Sequence, residues 1–230
     1  MGKFLASCFL IFSFCSFLDH SNPPPILAPS SVAINEEGQL ILSWDGDLWL
    51  AELGKGNQKT VPKDWKQLTF SSAIERDPVW HPDSRQLFYA SDQKGNFDIW
   101  KAELGANGAL STAEPVVESS QADTQPNFAQ NGDMAWVRGA GAKSDIWIHD
   151  RTGKSTQLTS TFGPDHSPAF HPEGGQICYV SERKGVTSLL LMQLSNKKKS
   201  SLQTGKQVIF PQWSPDGNQL TFSTRNQPQG

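Results

Sequence analysis

Cysteine, methionine and tyrosine are scarce in this 230-residue chain, which contains 3 Cys, 3 Met and 2 Tyr. Charged residues make up only 19%, and 20 Lys and Arg against 23 Asp and Glu leave a net charge of -3. A chain without a basic excess lacks the field on which sequence-independent binding of DNA or RNA depends. We therefore expect no nucleic acid partner.

Turn-forming and aromatic residues are abundant instead. The chain has 8 Trp and 13 Phe together with 19 Gly and 15 Pro. Aromatic residues favour strands, and Gly and Pro favour turns. The composition therefore predicts an all-β chain of many short strands.

Residues 4–18 form a 15-residue stretch without a charge that follows Lys3. It is shorter than the roughly 20 apolar residues that a membrane-spanning helix needs. The pattern predicts a secretory signal peptide at residues 1–18 and a Pro-rich linker at residues 19–31. A buried core helix and an uncleaved anchor are the alternatives.

The leader also contains a weak lipidation motif. Leu5-Ala6-Ser7-Cys8 is similar to a bacterial lipobox, which makes Cys8 a possible lipidation site, although few residues precede it. Removal of the leader near its end would leave Cys178 as the sole cysteine, so the mature chain could form no intramolecular disulfide. The alternating sequence around Cys178 predicts a buried thiol in a strand.

A repeat of 40 to 50 residues organises the rest of the chain. Each copy begins with Pro, any residue, an aromatic residue and a polar turn. The copies start at Pro78, Pro126, Pro168 and Pro211, which are 48, 42 and 43 residues apart, and a degenerate copy starts at Val32. A fixed period of this length is typical of propellers and solenoids.

Each copy continues in the same order. An alternating strand is followed by a Gly-containing loop, a third strand and a short last strand that ends Gln-Leu-Thr in two copies. The third strand begins Asp-aliphatic-Trp at Asp47, Asp98 and Asp145. Four strands per period predict the blade of a β-propeller.

Conspicuous side chains in the repeat have structural explanations. His81 and His171 occupy the turn position that Ser214 and Ala129 fill in other copies, so we do not interpret them as metal ligands. The third-strand tryptophans are predicted to pack between blades. The aspartates before them are predicted to bridge neighbouring strands.

The repeat Pro-x-Trp-Ser-Pro-Asp-Gly-x-x-Leu-x-Phe-Ser at residues 211–223, with Asp-Ile-Trp and Gln-Leu-Thr in earlier copies, resembles the WD-like repeat of TolB-type β-propellers. The resemblance covers residues 32–230. It implies a propeller found in periplasmic TolB proteins, tricorn-like and prolyl-oligopeptidase-like peptidases, and periplasmic amidohydrolases. The segment between Leu18 and Val32 is too short for the small α/β domain that precedes the TolB propeller.

The repeats amount to about four and a half blades. The last copy contains two strands, and proline-rich residues before Ser31 offer no strand to complete it. We therefore expect an incomplete ring and a fragment of a longer protein. The other interpretation is that a partner completes the last blade.

No catalytic motif is recognisable in the sequence. It contains no Gly-x-Ser-x-Gly, His-Glu-x-x-His or Cys-x-x-Cys. The Gly139–Ser144 segment lacks the glycine that a phosphate loop has before its lysine, and it falls between two predicted strands. We therefore name no catalytic residue and expect no metal and no cofactor.

Function in a propeller usually lies where the loops that enter the innermost strands converge. The repeat alignment places seven candidate binding residues at this channel mouth: Arg76, Asp77, Thr124, Gln125, Asp165, His166 and Phe210. His166 is notable because an imidazole can change charge near pH 6.5.

The sequence predicts an exported, non-catalytic β-propeller that binds a protein or peptide through the channel mouth. Its predicted location is the periplasm or another exported compartment, with membrane contact only through the leader or a lipid anchor. The alternative is the N-terminal propeller of an exported amidohydrolase or prolyl-oligopeptidase-like peptidase, with the catalytic domain outside this sequence. A scaffold that packs against other envelope proteins is a third possibility.

Overall fold

The computed structural model describes residues 31–53, 64–82, 85–202 and 207–225. The predicted signal peptide, Cys8 and all but the last residue of the predicted linker lie outside these ranges. Within the described ranges, no helix has the length and apolar character needed to cross a membrane. The described residues form antiparallel β-sheets joined by turns and one short 3-10 turn at Gly141–Lys143.

The chain divides into two compact units, with the boundary after Glu118. The first unit contains two four-stranded sheets, each with its strands in sequence order. The first blade consists of β1 (Ser31–Ile34), β2 (Gln39–Trp44), β3 (Asp47–Glu52) and β4 (Lys66–Gln67). The second blade consists of β5 (Glu75–Trp80), β6 (Gln86–Ser91), β7 (Asp98–Glu103) and β8 (Glu114–Val117).

The second unit contains two four-stranded sheets and one two-stranded sheet. The third blade consists of β9 (Asp123–Phe128), β10 (Met134–Arg138), β11 (Asp145–His149) and β12 (Ser155–Gln157). The fourth consists of β13 (Asp165–Phe170), β14 (Gln176–Arg183), β15 (Val186–Gln193) and β16 (Lys199–Leu202). The fifth contains β17 (Gln207–Trp213) and β18 (Leu220–Arg225).

These sheets confirm the predicted all-β fold of four-stranded blades, with four blades complete and two strands of a fifth. The strand order follows the repeat because each hairpin joins neighbours in sequence. The fourth strands are the least regular elements: β4 has two residues, and β8 was not recognised in the sequence. Their side chains are mostly exposed, so no apolar alternation marks them.

The repeated Asp and Gln-Leu-Thr motifs fasten the third strand to the fourth. In the third blade, Asp145 accepts hydrogen bonds from Gln157 Nε2 at 3.1 Å and Thr159 Oγ1 at 3.1 Å. Thr159 Oγ1 also accepts the backbone N–H of Ile146 at 2.9 Å. The first blade repeats the arrangement with Asp47, Gln67 and Thr69. The predicted bridging role of these aspartates is confirmed in both blades.

Apolar residues of adjacent blades form the core of each unit. In the first unit, one cluster joins the two blades and includes Ile41, Leu48, Leu87 and Trp100. In the second unit, one cluster contains residues of the third and fourth blades, and another contains residues of the fourth and fifth. Alternation along each strand turns these side chains toward the neighbouring sheet, where burial stabilises the fold.

The third-strand tryptophans have different environments. Trp100 is buried in the core cluster, as predicted. Trp49 is half-buried and makes an edge contact with Trp44, and Trp147 is half-buried beside a polar cleft. The prediction of a core role is therefore wrong for Trp147. Cys178 is buried as predicted, and burial raises the pKa of its thiol to about 12.

Replacing Thr159 by valine should destabilise the second unit. The hydroxyl is 2% exposed and makes two hydrogen bonds, and valine keeps its shape but makes neither. We expect the free energy of unfolding in urea to fall by about 1–3 kcal/mol. Thr156→Val, at an exposed position on β12, is the matched control and should leave the urea midpoint unchanged. Equal midpoints for the two variants would contradict the bridging role.

Candidate functional site

A β-bulge interrupts the first strand of each blade from the second to the fifth. At each bulge the residue immediately before the repeat proline has a left-handed backbone. These residues are Asp77, Gln125, Ser167 and Phe210, with φ between 52° and 54°. A bulge places two residues opposite one and turns the strand. The repeat therefore fixes an unusual backbone at the innermost strands.

The bulges are linked by hydrogen bonds between neighbouring blades of the same unit. The N–H of Asp77 donates to Ser31 Oγ at 2.9 Å, and the N–H of Ser167 donates to Gln125 Oε1 at 2.7 Å. In each pair the acceptor side chain belongs to the equivalent position of the preceding blade. A polar side chain at this position therefore accepts a hydrogen bond from a backbone N–H that the bulge releases from the sheet.

The structure places the candidate residues within the first strands rather than in the loops before them. Arg76 and Asp77 lie in the first unit and are half-buried. The Arg76 guanidinium lies 3.9 Å from the centroid of the Phe97 ring, and its Nε lies 3.7 Å from Asp77 Oδ2. The remaining five candidates lie in the second unit.

The five candidates in the second unit differ in exposure. Thr124 and Asp165 are buried, so neither is a surface contact residue. Gln125 and His166 are half-buried and meet Ser167 from opposite sides, through Gln125 Oε1 on its N–H and His166 Nδ1 at 3.0 Å from its Oγ. Phe210 is 55% exposed.

Burial governs the ionisation of His166. It lowers the pKa of the imidazole below its usual 6.5, and the nearby carboxylates of Glu182 and Asp165 act in the opposite direction. His166 is therefore neutral at pH 7. A neutral imidazole can accept one hydrogen bond and donate another.

A buried acidic residue three positions before the repeat proline was missed by the sequence reasoning in two blades. The residues at this position are Glu75, Asp123 and Asp165. Each accepts a hydrogen bond from a hydroxyl four residues earlier, which belongs to Ser71, Ser119 or Thr161. The fixed spacing from the proline was the available signal.

Asp123 has the fullest set of partners. Arg138 donates from Nε to Oδ1 at 2.7 Å and from Nη2 to Oδ2 at 3.1 Å. Trp136 Nε1 donates to Oδ1 at 2.7 Å, and Ser119 Oγ donates to Oδ2 at 2.8 Å. Such a bidentate pair is geometrically specific and holds the guanidinium in one orientation.

Asp165 and Glu75 show how the same position varies. Asp165 accepts from Ser181 Oγ at 2.7 Å and from Arg183 Nη2 at 2.9 Å. Glu75 accepts hydrogen bonds from Ser71 and Ser91. Among the described residues it has no basic partner, and its buried Oε2 has no hydrogen-bond donor. Desolvation raises the pKa of Glu75 above its usual 4.5 in spite of the hydroxyl hydrogen bonds.

The third blade also carries a polar cleft of about 430 Å³. Its walls come from the connection before β9, the end of β10, the following 3-10 turn, the start of β11 and the end of β12. The lining residues are Ser119, Ser120, Gln121, Arg138, Lys143, Asp145, Trp147 and Gln157. The sequence reasoning did not identify this cleft, because its walls come from separate segments of the chain.

Residues 110–229 match the family described as the TolB beta propeller domain. The match covers just over half of the 230 residues and includes all three blades of the second unit. The chain belongs to the TolB β-propeller family. This confirms the resemblance seen in the repeat.

Relatives of this TolB-type propeller span several kinds of protein. This chain is 29% identical over 129 residues to a protein TolB homolog of Chlorobium luteolum, and the alignment covers 56% of this chain and 28% of that protein. It is 24% identical over 157 residues to a tricorn protease homolog of Saccharolobus solfataricus, covering 66% of this chain and 12% of that protein. The chain thus spans less than a third of the length of either relative.

A solved structure shows the same fold. The structure of a putative TolB from Agrobacterium tumefaciens aligns with a TM-score of 0.72 over 86% of this chain and 70% of that one. The sequence identity is 17%, so this likeness concerns the fold alone.

The described residues contain no group of three or more His, Cys, Asp or Glu side chains placed to hold a metal ion. The buried carboxylates of Asp123 and Asp165 are held by arginines, which keeps them in hydrogen-bonded ion pairs.

The unpaired carboxylate of Glu75 should destabilise the folded chain at neutral pH. Because its folded-state pKa is raised, the folded state binds the proton more tightly, and stability from this group is lost as pH rises through that pKa. Glu75→Gln should therefore raise the free energy of unfolding at pH 7 by about 1 kcal/mol. At pH 4 the variant and the natural chain should unfold at nearly the same urea concentration.

Asp123→Asn is the matched control at the equivalent position of the next blade. It breaks a buried ion pair with Arg138 and should lower the free energy of unfolding by about 3 kcal/mol. A loss of stability for Glu75→Gln at pH 7 would contradict this account of Glu75.

Proposed function

We propose that this chain is an exported, non-catalytic β-propeller that binds a protein or peptide partner through its mouth face, defined as the starts of the first strands with the loops and turns beside them. Phe210 carries the proposal. It has a φ of 52° and is 55% exposed, although a bulky side chain rarely adopts a left-handed backbone. Backbone strain of this kind clusters at functional sites.

The equivalent positions in other blades make Phe210 exceptional. Asp77, Gln125 and Ser167 are polar at this bulge, and Gln125 uses its side chain to accept a hydrogen bond from the next blade. Phe210 presents an aromatic ring there instead. A strained and solvated phenylalanine is explained if the ring packs against a partner.

Other apolar side chains are exposed on the mouth face of the second unit. Phe162, in the connection before β13, is 99% exposed, and Val186, at the start of β15, is 59% exposed. Half-buried His166 adds a polar group to this face. Exposed aromatic residues with polar neighbours are the composition of a protein interface.

The nucleophilic and acidic groups support binding rather than catalysis. The thiol of Cys178 is buried, with a pKa raised to about 12, so it does not form a thiolate at neutral pH. Asp123 and Asp165 are buried and ion-paired, which removes them from contact with a substrate.

Photo-crosslinking tests the interface directly. A photoreactive phenylalanine at position 210 or 162 of the full chain, expressed in cells of its natural host, should yield a discrete adduct. The control places the photoreactive phenylalanine at exposed position 193, at the other end of the fourth blade, and should yield no adduct. Phe210→Asn should abolish adduct formation from position 162, because asparagine removes the ring.

The same substitution separates binding from folding. Asparagine tolerates a left-handed backbone, so Phe210→Asn should keep or raise the free energy of unfolding, by up to about 1 kcal/mol. Equal adducts from positions 162 and 193, or adducts that survive Phe210→Asn, would contradict the mouth-face interface.

Export rests on the charged start and apolar run of residues 1–18. Residues 1–30 fused to a phosphatase that matures only outside the cytoplasm should give active enzyme in a bacterial host. Replacing Phe9 and Phe12 by aspartate should abolish that activity, since it interrupts the apolar run. Equal activity of the two fusions would contradict the signal-peptide proposal.

The alternative function is the propeller of an exported hydrolase. The similarity to a tricorn protease homolog over 66% of this chain favours it. In such a protein the mouth face would contact substrate segments on their way to a separate catalytic domain. Sequencing the gene beyond the Gly230 codon separates the two functions, because an in-frame hydrolase domain would make this chain part of an enzyme.

A further inference from the structure

The cleft of the third blade holds a rigid arginine. Nε and Nη2 of Arg138 bind the buried carboxylate of Asp123, and its guanidinium lies 4.6 Å from the ring centroid of Trp147 and 5.5 Å from that of Trp136. Its side chain is 17% exposed. These contacts leave Nη1 without an acceptor among the described residues. The cleft therefore contains a guanidinium edge whose orientation is fixed before any ligand arrives.

A second cation borders the same space. Lys143 ends the 3-10 turn and is exposed, and its ammonium forms no ion pair or hydrogen bond within the described part of the chain. Ser120, which also lines the cleft, is exposed, and its hydroxyl has no partner in that part. Two cationic donors and a hydroxyl thus have unused hydrogen bonds.

The carboxylates near the cleft are already engaged. Asp123 is fully buried and accepts from Arg138, Trp136 and Ser119. Asp145 accepts from Gln157 and from Thr159. Arg138 is ion-paired with Asp123, and Lys143 forms no ion pair in the described part of the chain. Asp145 keeps its negative charge, so the cleft fits at most one further negative charge, bound by the unused donors of Lys143 and Arg138.

The chemistry favours a carboxylate over a phosphate or a sugar. A phosphate would carry more negative charge toward Asp145 than Lys143 balances. A sugar ring would need an open aromatic face, whereas the guanidinium of Arg138 lies over Trp147. A carboxylate accepts two parallel hydrogen bonds, which suits donors from Arg138 and Lys143.

We propose that this cleft is a subsite that binds a carboxylate of the partner, from an acidic side chain or a C-terminus. The inference rests on the proposed function, since the cleft lies on the mouth face of the second unit. It adds the chemical class of one group in the partner. Phe210 and the cleft would then contact different parts of one extended segment.

Peptide selection tests the subsite without knowledge of the natural partner. The full chain is used to select binders from two libraries, one of internal random octapeptides and one of octapeptides with free C-termini. Enrichment of Asp and Glu in the first library assigns the carboxylate to a side chain. Carboxylate-dependent binders confined to the second assign it to a C-terminus.

Lys143→Gln is the diagnostic variant, because Lys143 is exposed and has no structural partner. It should lower the affinity for the selected peptides about tenfold, which is the effect expected for the loss of one charge-assisted hydrogen bond. Lys184→Gln is the matched control, since Lys184 is an exposed lysine in the corresponding turn of the fourth blade. It should leave their affinity unchanged.

Several outcomes overturn the subsite. They are selections without carboxylate dependence, no loss with Lys143→Gln, an equal loss with Lys184→Gln, or no binders at all. Peptides that lose affinity with Phe210→Asn but not with Lys143→Gln overturn the subsite and leave the proposed function intact. Peptides whose affinity is unchanged by either substitution would overturn both proposals.

Discussion

The left-handed residue before each repeat proline is the constraint on which the inner strands depend. It bends the strand at a bulge and frees a backbone N–H that the sheet no longer binds. That donor is satisfied by the neighbouring blade, as in the pair formed by Gln125 and Ser167. The repeat therefore specifies a blade and also the hydrogen bond by which the next blade attaches to it.

The buried acidic residue three positions before the repeat proline has different partners in different blades. In the second, third and fourth blades the position places a carboxylate beside a hydroxyl, but the cation differs. Asp123 and Asp165 are paired with arginines, and Glu75 is not. Because a buried charge without a partner costs more than a paired one, we expect Glu75 to contribute less to stability than Asp123 or Asp165. The repeat thus determines where the carboxylate lies, whereas the presence of an arginine partner differs from blade to blade.

The sequence predicted the sheets well because their period and apolar alternation are local signals. It missed the fourth strand of the second blade, since β8 is mostly exposed and carries no apolar alternation. It placed Thr124 at the mouth although the bulge turns this side chain inward. The ion pair of Asp123 with Arg138 was missed because its members are 15 residues apart and only strand pairing brings them together.

The candidate contact residues share one property: each departs from the repeat. Phe210 replaces a polar residue at the bulge, and Arg138 lies opposite Asp123 where serines lie opposite Glu75 and Asp165. A residue with a purely structural role in the blade should be similar in every copy of the repeat, because every blade makes the same contacts. A strained phenylalanine solves no problem of packing. Under the proposed function, a contact outside the chain accounts for its presence, and this is the reason for seeking the binding surface among the residues that depart from the repeat.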